Sequence, residues 1–311
     1  MRALRFCWLL GCAGLLLLAG CQSSDDPGGE DVRTITITMV AKSEANPVFM
    51  SARLGAEAAA KDLSEKYSKI DVNIDWRTPA TEDASGQAGL ILAAVNAGTD
   101  AILVSCSNDE ILELAINQAV DRGVPVMTFD SDAPDSRRFA FYGANDIELG
   151  ENVMEQLAKL MGNKGRVAIL AGNAAALNLQ MRVLGVKNAA SSYPGIQIVG
   201  VFNHPETAEQ AAAEVLRVNA AHPDISGWAM IGGWALFSEE LIDKIDPQKN
   251  EDCRGGCMPA QLPYVEKGIV PVLLGQPTFR WGKISVENII DKLYLEKEVD
   301  VINHLKLIPV S

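Results

Sequence analysis

Histidine is scarce in this chain: three in 311 residues, at His204, His222 and His304, too scattered to share a metal ion. The six cysteines show no zinc spacing either. Cys7, Cys12 and Cys21 sit at the N-terminus, Cys106 follows an apolar run as a small hydrophobe would, and only Cys253 and Cys257 form a close pair. A metal site is therefore not expected. Aromatic residues make up only 6%, too few for a surface that stacks nucleic-acid bases, and the net charge is -13. The first 21 residues contribute only Arg2 and Arg5, so the remainder stands at -13 - 2 = -15 and repels phosphate backbones. No Gly-x-Gly-x-x-Gly follows a strand, and neither a P-loop nor a Gly-x-Ser-x-Gly elbow occurs. No Ser/His/Asp set stands out, so neither catalysis nor a cofactor is expected. What the chain does have is 48% hydrophobic residues, enough for two domains with real cores.

The N-terminus reads as an export signal. Arg2 and Arg5 precede an apolar stretch, Phe6 to Leu18, that is too short for a comfortable membrane span. It closes on Leu18-Ala19-Gly20-Cys21, which resembles the lipobox of bacterial lipoproteins and implies cleavage before Cys21 and acylation of that residue. Residues 1–20 are then the signal peptide, and residues 21–33, rich in Ser, Asp and Gly, a flexible tether.

From Thr34 onward strands and helices alternate. Strands are expected at Thr34 to Val40, Ile70 to Trp76, Asp100 to Ser105, Val124 to Phe129 and Arg138 to Tyr142, with helices at Val48 to Tyr67, Glu82 to Ala97 and Asp109 to Arg122. The pattern then begins again. Helices at Asn145 to Met161, Asn178 to Ser192, Thr207 to Ala221, Leu236 to Ile245 and Pro259 to Lys267 alternate with strands at Arg166 to Leu170, Gln197 to Phe202, Gly227 to Ile231 and Val270 to Leu274. A long helix, Trp281 to Glu296, closes the series. Helical crossovers between apolar strands imply parallel sheets covered on both faces. The fold class is α/β, with two similar doubly wound lobes joined by a hinge and a ligand cleft between them. The first lobe is residues 34–143 plus 278–302, the second 144–277 plus 303–311.

In an open parallel sheet ligands sit beyond the carboxyl ends of the strands. Val124 to Pro134 writes such an end: a β-branched run stops in Asp130 and Asp132, and Pro134 forbids continuation. A carboxylate placed there accepts two hydrogen bonds from adjacent hydroxyls; the plain alternative is a solvated Asx-turn.

Taken with its neighbours, this stretch resembles the class I periplasmic binding proteins, the ribose/galactose-type substrate-binding components of ABC sugar importers. Asn46-Pro47-Val48-Phe49 resembles that family's Asn-Pro-Phe-Phe loop, with Phe49 kept and Val48 in place of one aromatic. Pro125 to Asp130 matches its Pro-Val-x-Thr-Phe-Asp segment, with Ser131 where ribose binders carry Arg. Arg182 with Gly185-Val186 resembles its Arg-x-x-Gly-Phe helix start, and Gln276 a glutamine near the hinge. The resemblance implies a ligand-binding set of Asn46, Phe49, Asp130, Arg182, Gly256 and Gln276; Asn203 joins it because it stands where a strand ends, and Trp234, found where the family usually shows an Asn-Asp pair, as a stacking platform or a core residue. The resemblance further implies a sugar or polyol ligand, an ABC permease as partner, a monomer, and a lipid-anchored position facing the periplasm or cell exterior. The alternative within the same fold is a sensory receptor feeding a histidine kinase or chemoreceptor.

One segment departs from the pattern. The family needs a strand ending in Asp before Pro259, and Asn250-Glu251-Asp252-Cys253-Arg254-Gly255-Gly256-Cys257 has no apolar run and two glycines, so no buried parallel strand is expected there. Codons that fit Lys249 to Cys257, shifted by one base and restored before Met258, encode Lys-Thr-Lys-Ile-Val-Ala-Val-Asp-Ala, a β-branched strand ending in a carboxylate. This points to a compensated double frameshift. A local Cys253–Cys257 disulfide or a surface insertion are the competing readings.

Overall fold

The computed structural model describes residues 32–238, 251–255, 261, 265–266 and 270–310. The first sheet is built on β1 (Arg33–Val40), whose alternating Ile and Thr suit a pleated surface covered on both sides. It pairs in parallel with β2 (Ile70–Trp76) and β3 (Ala101–Val104). Next to β3 come β4 (Val126–Phe129) and β5 (Ala140–Gly143), also parallel. The crossovers are α1 (Pro47–Lys66), α2 (Ala84–Asn96) and α3 (Asp109–Asp121), each started by a side-chain cap from Asn46, Asp83 or Asn108. β3 and β4 are buried at every residue, as strands sandwiched between helical layers must be.

The second half repeats the scheme: α4 (Asp146–Leu160), β6 (Lys164–Ala171), α5 (Leu177–Ala190), β7 (Gly195–Asn203), α6 (Ala208–Ala221), β8 (Gly227–Met230), β9 (Glu251–Gly255) and β10 (Val272–Gly275). Then α7 (Thr278–Leu293) returns to pack on α1 and the first sheet. Two short strands finish the chain, β11 (Ile302–His304) and β12 (Ile308–Val310). The sheet orders are β11-β5-β4-β3-β1-β2 and β12-β10-β9-β8-β6-β7. All pairs are parallel except β10 with β12. Among the described residues the chain passes between the sheets three times: after β5, after β10 and between β11 and β12.

The structure corrects the expectations in four places. Glu251–Gly255 is a strand after all, parallel to β8 on one side and β10 on the other, so the second sheet is not interrupted. Ladder bonds join backbone groups, which any residue but proline supplies, and two correctly placed neighbours fix the register without help from apolar side chains. The last helix runs three residues earlier than expected: it starts after Pro277, and Glu296, with φ +51°, lies beyond its end. β11 and β12 were not expected, being three residues each. Asn303 and His304 pair with Tyr142 and Gly143 of the first sheet, so the division between sheets falls after His304 rather than after residue 302. The expected helix at Leu236 to Ile245 is described only at its start, where Trp234–Phe237 is a 3-10 turn. The rest of it, most of Pro259 to Lys267, Gly256, and Cys21 with the N-terminal signal lie outside the described residues.

Two helix pairs share a device. A Cβ on Gly55 of α1 would stand 1.9 Å from the Phe279 carbonyl oxygen, and one on Gly282 of α7 would stand 1.9 Å from that of Ala52. In the other lobe a Cβ on Gly150 of α4 would meet the Arg182 carbonyl oxygen at 2.0 Å, and one on Gly185 of α5 that of Ile147 at 2.1 Å. Backbone therefore touches backbone in both pairs, and no side chain larger than hydrogen fits.

Candidate functional site

The N-termini of α1, α5 and α7 and the loops after β1, β4, β8 and β10 converge on one cavity of about 540 Å3, mouth included. Of the residues expected to bind, Asn46, Phe49, Asp130, Arg182, Trp234 and Gln276 all line it. Asn203 does not. It ends β7, the edge strand of its sheet, and its amide donates to the Gly172 carbonyl at 2.8 Å in an outer groove beside His204 and Thr207.

Asp130 follows β4 directly. It holds φ +58°, an uncommon conformation for a residue with a side chain, while its N–H donates to the Tyr142 carbonyl at 3.1 Å. The Ser105 hydroxyl donates to Oδ2 at 2.9 Å, and burial pushes the carboxyl up from its ordinary value against the pull of Lys42 and Arg182. Asp132, the other acid of this strand end, is taken up by Arg138, whose Nη2 donates to it at 2.6 Å.

Arg182 is held on two sides. Its Nε donates to Asp146 at 2.7 Å and Nη1 to the Ile231 carbonyl at 3.2 Å, leaving Nη2 buried without a hydrogen-bond partner among the described residues, 3.9 Å from Asp130. Burial pushes the Asp146 carboxyl up to about 6 despite that arginine. Two further buried atoms on lining residues have no hydrogen-bond partner among the described residues, Gln276 Oε1 and Trp281 Nε1.

The walls are aromatic. Phe49 and Trp281, which line the cavity, form a triangle with Phe129, which does not, with ring centroids 6.4 Å apart, and such pairs contribute about 0.5–1.5 kcal/mol each beyond burial. Trp234 lies over Gly232, where a Cβ would stand 2.2 Å from the indole, and His204 meets its ring edge-on at 5.1 Å. This explains the Gly-Gly before the tryptophan: the ring needs the space.

Sequence reading missed Lys42, Glu206, Asn178, Phe237, Gln261 and Thr278, all of which line the cavity. Lys42 carried a signal. It stands just past the end of β1, the kind of position that singled out Asp130. It is 1% exposed and its Nζ lies 3.0 Å from Glu82 and 3.1 Å from Glu206. Burial alone would lower the lysine pKa, but the Glu206 and Glu82 carboxylates overrule it and the value is raised. Burial likewise raises Glu82, partly offset by Lys42. Gln87, wholly buried, fixes this corner by donating to the carbonyls of Ala41 and Ser105, each at 2.8 Å. Glu206, by contrast, reaches the site from the opposite lobe, and no local pattern announces it.

Two doubly wound lobes closing on an aromatic slot with a few converging polar groups define a small-molecule binding protein. Among the described residues no group of side chains is placed to hold a metal ion. The sequence pattern of the periplasmic binding protein domain matches residues 37–297, and the chain belongs to that family. One relative is the D-ribose/D-allose-binding protein of Pseudomonas aeruginosa, 26% identical over 63% of this chain and 61% of its own length. Another is the ribose import binding protein RbsB of Bacillus subtilis, 24% identical over 68% of each. Their names are those of binding proteins, not enzymes. Among solved structures, the glucose-galactose binding protein GanP of Geobacillus stearothermophilus is 24% identical with a TM-score of 0.81, covering 89% of this chain and 97% of its own. A chain of the XylFII-LytSN complex reaches the same TM-score at 20% identity, with coverages of 89% and 97%. Both show the fold.

Proposed function

We propose that the protein binds a monosaccharide or related polyol in the interlobe cavity and presents it to an ABC permease, as an exported, monomeric protein anchored to a membrane through Cys21. The carrying observation is that three residues lining one aromatic slot each carry a buried polar atom without a hydrogen-bond partner among the described residues: Arg182 Nη2 and Trp281 Nε1 as donors and Gln276 Oε1 as acceptor. A hydroxyl gives and takes a hydrogen bond, so a polyol answers both kinds, while its C–H faces pack on the rings of Phe49 and Trp234. Asn46 spends its side-chain oxygen capping α1 by accepting from Val48 at 3.3 Å and leaves its amide group for the ligand. The family and the sugar-binding names of its relatives support this reading.

A thermal-shift screen of the purified protein against D-ribose, D-allose, D-arabinose, D-glucose, D-galactose and xylitol tests it. A sugar at ~100 times its dissociation constant stabilises the native state by about 2.7 kcal/mol. A well-folded protein that none of a broad sugar and polyol panel stabilises would sink the reading. Cys21→Ser tests the anchor: the variant moves from the membrane to the soluble fraction. The sensory alternative draws on the neighbour found in complex with LytSN. Sugar uptake lost on deletion of the gene favours transport, while intact uptake with a lost transcriptional response favours sensing.

A further inference from the structure

The ionised groups at the cavity are out of balance. Lys42 lies 3.0 Å from Glu82 and 3.1 Å from Glu206, and Arg182 lies 2.7 Å from Asp146 and 3.9 Å from Asp130. None of these six side chains is more than 15% exposed. Among the described residues no third cation is in ion-pair contact with any of the four carboxylates, and the neighbouring Asp132 is matched by Arg138. Fully ionised, the cluster stands at +2 - 4 = -2. Burial holds the carboxyls of Glu82, Asp130 and Asp146 above their ordinary values in spite of the two cations, as a shortage of positive charge requires. The deficit is plainest at Asp130. Ser105 donates to its Oδ2 at 2.9 Å, while the nearest cation contact of Oδ1 among the described residues is Arg182 Nη2 at 3.9 Å.

Given the reading of the cavity as a sugar site, on which this rests, we infer that it takes an amino sugar or amino polyol: a ligand with one ammonium group among its hydroxyls. A neutral sugar leaves the negative charge of the cluster unanswered, and buried charges in proteins are ordinarily paired. An ammonium group brings the missing charge together with three donors. Two acceptors for it stand on lining residues. One is Asp130 Oδ1. The other is Oε1 of Gln276, a residue 8% exposed whose amide oxygen is buried without a hydrogen-bond partner among the described residues. Phe49, Trp234, Phe237 and Trp281 line the same space, and an aromatic face that packs on sugar C–H groups also attracts a cation. Arg182 Nη2 and Trp281 Nε1 are donors, so they fall to the hydroxyl oxygens of the ligand.

Isothermal titration of the purified protein at neutral pH provides the test. It compares D-glucosamine with D-glucose, D-galactosamine with D-galactose, D-mannosamine with D-mannose, and 1-amino-1-deoxy-D-sorbitol with D-sorbitol. Within each pair one hydroxyl becomes an ammonium, so shape is held while charge varies. In the pair that fits the cavity the amine should bind at least about tenfold tighter than its partner. Glu82→Gln and Asp146→Asn each remove one negative charge from a residue that does not line the cavity. At an effective dielectric constant of about 20, a unit charge one residue removed from the ligand should lower the amine-to-hydroxyl affinity ratio about tenfold. The ratio cancels any loss common to both ligands, and thermal melts identify the folded variants. If neutral sugars bind and no amine exceeds its partner, the proposal is overturned while the sugar reading stands. An amine preference that the folded variants leave unchanged also overturns it, since the charge of the cluster is then not its source. If neither member of any pair binds, the proposal falls, and the sugar reading falls with it only when the broad sugar and polyol panel fails as well. Should one variant not fold, the other decides, and the wild-type comparison depends on neither.

Discussion

Replacing Lys42 by methionine tests the charge cluster most directly. Methionine keeps the unbranched apolar stem and removes the ammonium, so the packing of the side chain changes little. What remains are two buried carboxylates, Glu82 and Glu206, that have lost a cation at 3.0 and 3.1 Å. At an effective dielectric constant of about 20 each contact is worth roughly 5 kcal/mol of gross Coulomb energy. Most of that offsets desolvation, and removing one partner of a buried pair costs about 3–5 kcal/mol net. The backbone N–H of Asn173, donating to Glu206 at 3.2 Å, is the compensation left to that acid. The expected loss is therefore about 3–5 kcal/mol at pH 8. Lys42 itself titrates above its ordinary value, so its contribution is constant over the neutral range and is lost only in strong alkali. The pH dependence of the variant must come from Glu82, whose carboxyl burial already raises and which loses the Lys42 charge that offsets it. Its penalty is relieved as it takes up a proton, so the deficit shrinks between pH 8 and pH 5. Urea unfolding at the two pH values measures it, with the triple variant Lys42→Met, Glu82→Gln, Glu206→Gln as the control that recovers most of the loss. A deficit below about 1 kcal/mol, or one equal at both pH values, would refute the reasoning.

Further outcomes can be checked on the same preparations. Asp146 titrates at about 6 against an ordinary 3.8, among Arg182, Asp130 and Lys42. Its protonated form stabilises the fold fully below pH ~4, and this is lost as pH rises through about 6. Asp146 should account for about 3 kcal/mol of the stability lost across that window, and Asp146→Asn should remove that share of the slope measured by urea unfolding. Gly282→Ala places a methyl group 1.9 Å from the Ala52 carbonyl oxygen and should cost about 2 kcal/mol or more, whereas Gly89→Ala, with nothing within 4 Å in the middle of α2, should stabilise by about 0.5–1 kcal/mol; thermal melts read both signs. Exchanging Lys249 to Cys257 for Lys-Thr-Lys-Ile-Val-Ala-Val-Asp-Ala gives β9, which lies between two parallel strands, the apolar residues such a strand favours, and should raise the melting temperature by several degrees. An unchanged or lower value would argue that the written segment is native there, and resequencing the gene across it checks the frame.

The alternation of β-branched runs with Ala- and Leu-rich helices was enough to place nearly every described element within a few residues, because it reflects burial on two faces of a strand and one of a helix. The rule that ligands sit beyond strand ends picked out Asp130, and the Asn-Pro-Val-Phe and Arg182 motifs supplied their partners. Asn203 failed by the same rule, which identifies a strand end but not whether the strand is central; β7 is an edge. β9 failed for the opposite reason, since its place is set by backbone pairing with β8 and β10 while its side chains say otherwise. Glu206 and Gln261 were illegible because they meet the cavity only through tertiary contact. Lys42 was legible and overlooked: a lysine just past a buried strand has to have a partner.

The close-set helices bear on how such a site can be retargeted. The Arg182 carbonyl is itself one of the two glycine contacts that lock α4 to α5, and Trp281 precedes the glycine that locks α7 to α1. With main chain against main chain there is no slack to shift either side chain by moving its helix. A library aimed at a new ligand should therefore vary the loops at 42–46, 130–131 and 232–234 and leave the helix faces alone. Under the proposed function, each lobe would then move as one body, and whatever reads the outer surface would receive nearly the same signal from any ligand that lets the cleft shut.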